Sequence, residues 1–552
     1  MSTSFIKALM VLAITVNSIN SYAQESLENI TETVTFLSDD RLEGRATGSK
    51  GEEIAANYIA TKYASIGLQP AGENKGYYQV FEFTAGKEAG PANYIEIPNS
   101  ELMKTQPLAI SGNGKAVNTC VDVGFGIVAE ELEYDDYSDK DVKGKIALIK
   151  LSTPEGTHPH TDFYNYADER AKVATAVERG ATAVVFYNTD ENYPVDVLLD
   201  YSARTSAVEI PVVLIQVKQA EKLKDAGEVR MEAELNPIKK TGKNIAGIID
   251  NNAECTVIFG AHYDHLGYGE SGGSLYRGEP AIHNGADDNA SGVALIVELA
   301  AKLKKSGNTG YNYMFVAFSG EELGLYGSKS AADKLLNEDA CYNYMLNFDM
   351  VGRLDDSNSL VVNGYGTSPA WEKIESFASA MNFNITTFES GIGPSDHTSF
   401  YLKDIPVLHL FTGSHSDYHK PGDDAEKVNM QGILDIMLLT QALVADLDDE
   451  PKITFTKTKE KTNENAPRFT VTLGVIPDYT FEGKGMRIDG VSDGKPAAAA
   501  GIKAGDIVTQ LGEFEVADMM SYMKALSKFK AGDATTVTIQ REDEEHTMNI
   551  QF

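Results

Sequence analysis

Between Asn244 and Asp449 the chain alternates short apolar runs with longer helical ones, and that alternation limits the available folds more than any other feature. NIAGIID, CTVIFGAHYDH, YNYMFVAF, MLNFDMVG, SLVVNGYG and PVLHLF read as strands, whereas ALIVELAAKLKK and GILDIMLLTQALVADL read as helices. Strands joined through helices predict an α/β fold: a mixed, mainly parallel sheet with helices on both faces. In open sheets of this kind the working residues gather at the carboxyl ends of the strands.

The 552 residues exceed what one hydrophobic core serves, so two to four domains are expected. Residues 24–106 begin with a short helix, a Gly-rich turn and a longer helix that places Ile54, Tyr58, Ile59 and Tyr63 on one face. Residues 107–242 are β-rich. Within them GKIALIKLS, ERAKVATAVERG and ATAVVFYN form a βαβ-like unit closed by Gly180, which marks a separate insert. Residues 450–467 lose apolar periodicity and gain Lys, Thr, Asn and Pro, as a solvated linker does, and residues 468–552 form a last domain.

A formal net charge of -33 makes approach to a phosphate backbone unfavourable, so no nucleic-acid partner is expected. A dispersed acidic surface is otherwise explained by solubility. At the N-terminus Lys7 precedes an apolar run from Ala8 to Val16, followed by Ser21-Tyr22-Ala23. This predicts a cleavable signal peptide over residues 1–23 and a periplasmic or extracellular location. The run is shorter than the ~20 residues that span a bilayer, and no later stretch is expected to cross one. Cys120, Cys255 and Cys341 are expected as buried free thiols with at most one disulfide among them.

Hydrolysing a peptide bond near neutral pH needs an activated water, which a two-metal site supplies. Such a site needs His and carboxylate ligands, one carboxylate able to bridge, and one left to move protons. His262 and Asp264 lie two apart at a strand end and face the same side. One can bind metal while the other orients it, and Asp264 is read as the orienting carboxylate. His265 is read either as pocket lining or as surface packing. Asp287, Asp288 and Asn289 occupy a Gly-flanked loop before a helix, where one of them also serves as an N-cap. Glu321 and Glu322 leave a strand end together, one suited to ligation and one to proton transfer. Asp349 is an acid inside an apolar run, where a metal would offset the cost of burial. His397, His415 and His419 are each a ligand candidate on chemistry alone.

The ordered series AHYDHLG, GADDNASG, FSGEELGLYGS, NFDMVGR and DYHKPGD resembles the M28 family of zinc peptidases, as does the N-terminal FLSDDRLEGRATGSKGEEIAANYIA. The resemblance covers about residues 31–449. It implies a phosphorylase/hydrolase-like fold over 24–106 and 243–449 that holds two Zn2+ ions. By motif, His262 and Asp349 would bind one zinc, Glu322 and His419 the other, and Asp288 would bridge them across a cis peptide to Asn289. Glu321 would be the general base, Tyr418 a donor to the developing oxyanion, and His397 a neighbour of the site. The 107–242 insert resembles a protease-associated (PA) domain. The 468–552 segment resembles a bacterial-protease-type PDZ domain, with TLGV at Thr472 to Val475 as the loop that would receive a C-terminal peptide.

The resemblance implies a secreted aminopeptidase acting on peptides. The alternatives are a carboxypeptidase of acidic peptides, for which Arg353 is the evident anchor for a substrate carboxylate, a glutaminyl cyclase-like enzyme, or a silent peptide-binding protein that keeps the fold. Oligomeric state is not readable from the sequence.

Overall fold

The computed structural model describes residues 23–100, 102–156, 158, 161–190, 193–201, 205, 207–270, 273–336, 340–458, 471–477, 484–491, 495–517, 519–530, 532–542 and 544–552. Nearly all of the expected signal peptide and residues 459–467 of the expected linker lie outside them. The chain divides into two compact units, one drawn from residues 1–82, 241–529 and 534–552, the other from 83–240 and 530–533.

The first unit opens with helix α1, residues 23–37, and α2, Lys50–Ile66. Ser49 caps α2 by accepting from the Glu52 amide, and Gly67 ends it in the left-handed region at φ 84°. The buried face of α2 carries Ala55, Ala56, Ile59, Ala60 and Tyr63. Ile54 and Tyr58 are therefore not central to that face, as their periodicity suggested, but flank it. Small alanines let the helix pack closely against the helix Gly292–Ser306, and Tyr58 stacks instead on Phe36 at 4.0 Å between ring centroids.

The main sheet of this unit contains β1 (Leu235–Ile249), β2 (Cys255–His262), β3 (Asn312–Phe318), β4 (Cys341–Phe348), β5 (Ser359–Asn363), β6 (Asn384–Phe388) and β7 (Val407–Phe411). Their order across the sheet is β1-β3-β2-β4-β7-β5-β6, with Gln69–Pro70 on the outer edge of β1 and Tyr78–Ala89 also paired to it. The pairs β3/β2, β2/β4, β4/β7 and β5/β6 are parallel, whereas β1/β3 and β5/β7 are antiparallel. The sheet thus has the mixed, mainly parallel form that the alternation predicts.

Helices α3 (Gly292–Ser306) and α4 (Tyr326–Lys334) follow β2 and β3, and a long helix α5, Met430–Leu447, closes the series. Side chains alternate between two cores. Val257, Phe259 and Ala261 of β2 and Tyr313, Phe315 and Ala317 of β3 enter the larger one. Ile258, Met314, Val316 and Phe318 enter the smaller one on the opposite face. By length and composition alone α5 could cross a membrane. Its apolar residues, among them Ile433, Ile436, Leu439 and Leu443, are instead packed in the larger core.

Cys255 and Cys341 stand opposite one another on the adjacent strands β2 and β4 and form a disulfide. The expected limit of one disulfide is therefore reached. Cys120 is free but only partly buried.

In the second unit Ile146–Lys150, Ala183–Tyr187 and Val212–Ile215 run parallel at the heart of an eight-stranded sheet. The helix Glu169–Glu178 connects the first two, as the βαβ pattern implies. Near the C-terminus of the chain Met486–Val491, Ile507–Leu511, Ala534–Arg541 and Glu544–Gln551 form a small antiparallel sheet around its own core of Leu473, Ile488, Val508, Val537 and Ile539.

Candidate metal centre

The strands β3, β2, β4 and β7 are contiguous and parallel, so their carboxyl ends present one row of side chains. β2 delivers His262 and, just beyond, Asp264 and His265. β3 turns through Gly320, at φ 71°, into Glu321 and Glu322. β4 delivers Asp349, and the segment after β7 returns Tyr418 and His419. The loop Ala286–Ser291, entered through Gly285 at φ 57°, places Asp288 at the foot of α3.

Nε2 of His262 lies 3.2 Å from Asp288 Oδ1 and 3.2 Å from Asp349 Oδ1. Nε2 of His419 lies 3.2 Å from Asp288 Oδ2 and 3.3 Å from Glu322 Oε2. Asp288 therefore faces both pairs, one carboxylate oxygen to each. The candidate ligand atoms of His262, Asp288 and Asp349 all lie within 4.8 Å of one another, as do those of His265, Asp288 and Glu322. Mixed imidazole and carboxylate donors around a shared carboxylate are a donor set of the kind that holds zinc. Glu321 lines the same cavity but belongs to neither donor set.

Partners behind these side chains fix their orientation. Nδ1 of His419 lies 2.8 Å from the Gly273 carbonyl oxygen, which turns Nε2 into the site. Nδ1 of His262 lies 3.2 Å from the main-chain carbonyl of Asp264. The Asp264 carboxylate is farther, at 3.8 Å. The orienting contact assigned to that carboxylate is therefore made chiefly by its backbone oxygen. The carboxylate instead accepts from Thr47 Oγ1 and from the Glu321 amide, which places Asp264 under the proton-moving candidate. Asp349 accepts from Ser395 Oγ at 2.6 Å.

The neighbours of Asp288 point away from the centre. Asp287 accepts from the Gly352 amide and meets His415 Nε2 at 3.2 Å. Asn289 donates to the Phe348 carbonyl and accepts from the Gly292 and Met350 amides. The Asp288–Asn289 peptide is cis. His415 therefore sits behind the loop. His397 is fully buried, stacks on His409 at 4.8 Å, and does not line the cavity.

Adjacent carboxylates are driven to opposite protonation preferences. Burial, reinforced by Asp349, Glu322 and Asp396 and opposed by His262, holds Glu321 well above the usual carboxylate range. Burial also raises Glu322, but the His419 and His265 rings more than offset it and leave this carboxyl at about 2. Burial pushes Asp264 up to about 7. Burial and the surrounding carboxylates hold the Tyr418 phenol well above its ordinary value, so it stays protonated and able to donate. Divergent environments of this kind separate ligands from proton carriers.

Several residues that complete the centre carry no local signal. Arg45 is fully buried and donates to the carbonyls of Tyr263, Leu37, Asn284 and Gly285, tying the segment between α1 and α2 to β2 and the Asp288 loop. Asp423 Oδ2 accepts from the amides of both Asp287 and Asp288, and its Oδ1 pairs with Arg353 Nη2 at 2.9 Å. Nothing in the residues around Arg45 announces these distant partners. His265 is buried, so plain surface packing does not describe it.

Parts of the chain are similar to known proteins. Residues 244–444 match the profile of peptidase family M28, residues 105–223 that of the PA domain and residues 452–552 that of the PDZ domain. Aminopeptidase YwaD of Bacillus subtilis is 30% identical over 306 residues, 53% of this chain and 60% of that protein. The chain thus spans less than two thirds of that relative. A probable lipoprotein aminopeptidase of Mycobacterium tuberculosis, LpqL, is 28% identical over 403 residues, 69% of this chain and 72% of that protein. Among solved structures, a zinc aminopeptidase from Bacillus subtilis is 24% identical, covers 79% of this chain and 96% of its own, and aligns with a TM-score of 0.44.

Proposed function

Taking residues 244–444 as an M28-family peptidase domain that carries a PA domain and a PDZ domain in the same chain, we propose that the protein is an exported di-zinc aminopeptidase. The observation that carries the reading is the convergence of His262, Asp288, Asp349, Glu322 and His419 on one cavity, with Glu321 beside them outside both donor sets. His262 with Asp349 would hold one zinc and Glu322 with His419 the other, with Asp288 shared. Zinc bound there would lower the pKa of water and polarise the scissile carbonyl.

The remaining work falls to side chains. Glu321 accepts the proton of the attacking water and returns it to the leaving amine, a transfer helped by a buried carboxyl whose proton affinity is raised. The Tyr418 hydroxyl, on the cavity wall and stacked on His419 at 3.9 Å, donates to the carbonyl oxygen as charge develops there. Asp264 holds the Glu321 amide in place.

The choice of chain end is supported by the cavity lining. The cavity, of about 320 Å³, is lined by Gly324, Leu325, Met350, Pro394 and Tyr418 beside the ligand set, and no Lys or Arg is among its described lining residues. Arg353, the anchor a carboxypeptidase would use, is taken up by Asp417 and Asp423. With no cation among the described lining residues to receive a substrate carboxylate, the site suits a free amino terminus. Export is supported by the charge, apolar run and small-residue pattern of the first 23 residues.

Glu321→Ala should lose at least a hundredfold in kcat/KM while retaining about two zinc per chain, a loss on the scale of general-base catalysis. Undiminished turnover in that variant would overturn the mechanism. Peptides with a free amine should be cleaved and their N-acetylated forms spared; the reverse pattern would overturn the aminopeptidase assignment.

A further inference from the structure

His265 is the site residue that the five-ligand scheme leaves without a task. It follows β2 by three residues and is 2% exposed. Its Nδ1 lies 2.7 Å from Glu322 Oε1 and 3.9 Å from Asp288 Oδ2, and its ring stands 5.8 Å from that of His419 at 68°. Its Nδ1 is thus paired with the Glu322 carboxylate, whereas Nε2 meets no hydrogen-bond partner among the described groups. The other two imidazoles differ in this respect, because Nδ1 of His262 and Nδ1 of His419 each meet a main-chain carbonyl. A buried imidazole that turns one nitrogen to two carboxylates, all their candidate donor atoms within 4.8 Å of one another, is the arrangement of ligands that share a cation.

The backbone is fitted to this ring. Gly285 has φ 57°, and a Cβ there would stand 2.5 Å from His265 Cδ2, 2.6 Å from its Cγ and 2.2 Å from the Asp288 carbonyl oxygen. Only glycine lets the Asp288 loop close over the imidazole, so the loop that brings the shared carboxylate also seats His265 beside it.

We propose that His265 is a further protein ligand of the second metal position, which then offers Asp288, Glu322, His419 and His265, against His262, Asp349 and Asp288 at the first. The proposal rests on the dinuclear metallopeptidase reading. It makes the two positions unequal: the second carries two imidazoles and four protein donors, the first one imidazole and three. The second position should hold its ion more tightly against a chelator, leaving the first as the one with a coordination place to spare.

The competing role is a positioning one, in which His265 only steers the Glu322 carboxylate. The two are separated by counting coordinated imidazoles. The full chain, stripped of zinc and loaded with two equivalents of cobalt(II), should show three solvent-exchangeable, hyperfine-shifted imidazole N–H signals in its proton NMR spectrum in water. His265→Gln, which keeps a donor toward Glu322, should show two at the same metal loading. Two signals in the wild-type protein at full loading, or three that survive in His265→Gln, would overturn the assignment while leaving the dinuclear reading intact. Failure of the wild-type chain to take up two equivalents would overturn both. If His265→Gln does not fold, the wild-type count decides alone.

Discussion

Arg45 shows how a single residue can hold a site it does not line. Its guanidinium is buried and bonds four carbonyls from three chain segments, and burial lowers its pKa to about 10 against the pull of Asp264, Asp288, Asp423 and Glu322. Removing it would leave buried acceptors unsatisfied, each at a cost of about 1–3 kcal/mol. Arg45→Met should therefore destabilise the protein by at least about 3 kcal/mol in chemical denaturation. Arg45→Lys should not restore it, because a compact ammonium cannot span the fork of acceptors. Wild-type stability in either variant would show that the clamp is dispensable. Asp288 is legible as a candidate ligand because the residues of its motif lie close together in the chain. Arg45 and Asp423 were not, because their partners lie far away in sequence.

Among the elements, α2 and the helix Glu169–Glu178 each carry a buried charge. Glu52, on the buried face of α2, accepts from the Gly48 and Lys243 amides, Tyr263 Oη and Ser319 Oγ, so one carboxylate joins that helix to the ends of β2 and β3. In the helix Glu169–Glu178, burial raises Glu169 from 4.5 to about 7 and lowers Lys172 from 10.5 to about 8. The folded state binds the extra proton at Glu169 between pH 4.5 and 7, so that contribution to stability is lost as pH rises across that window. For Lys172 the unfolded chain holds more protons between pH 8 and 10.5, so stability rises with pH there. The second unit should be least stable between those windows, each change amounting to at most about 3 kcal/mol. Calorimetric scans from pH 5 to 10 should show the minimum, and Glu169→Gln should abolish the acid-side slope. A wild-type profile flat across both windows would refute the assignment. Strand and helix identities were legible from periodicity, but the face that α2 buries was not. Alanines, weak in any hydrophobic pattern, make up much of that face.

At the scale of the molecule, six carboxylates converge on one end of the sheet: Asp264, Asp288, Glu321, Glu322, Asp349 and Asp396. Bound cations would relieve that convergence, and a ligand present at a thousand times its Kd stabilises by about 4 kcal/mol. Chelation should therefore lower Tm by roughly 10 °C, with zinc restoring it. A Tm indifferent to chelator would argue against a metal at this site. The sequence by itself determined the α/β class, the PA and PDZ modules and the residue types of the metal centre, because periodicity and short motifs are set by residues close together in the chain. Tertiary structure decided how those residues divide their work. It showed that a carbonyl, not the Asp264 carboxylate, makes the nearer contact behind His262, that His415 stands behind the loop, that Arg353 is spoken for by Asp417 and Asp423, and that His265 turns inward over Gly285. Each of these depends on backbone brought from a distant segment, and no local pattern in a sequence records which distant groups will meet it.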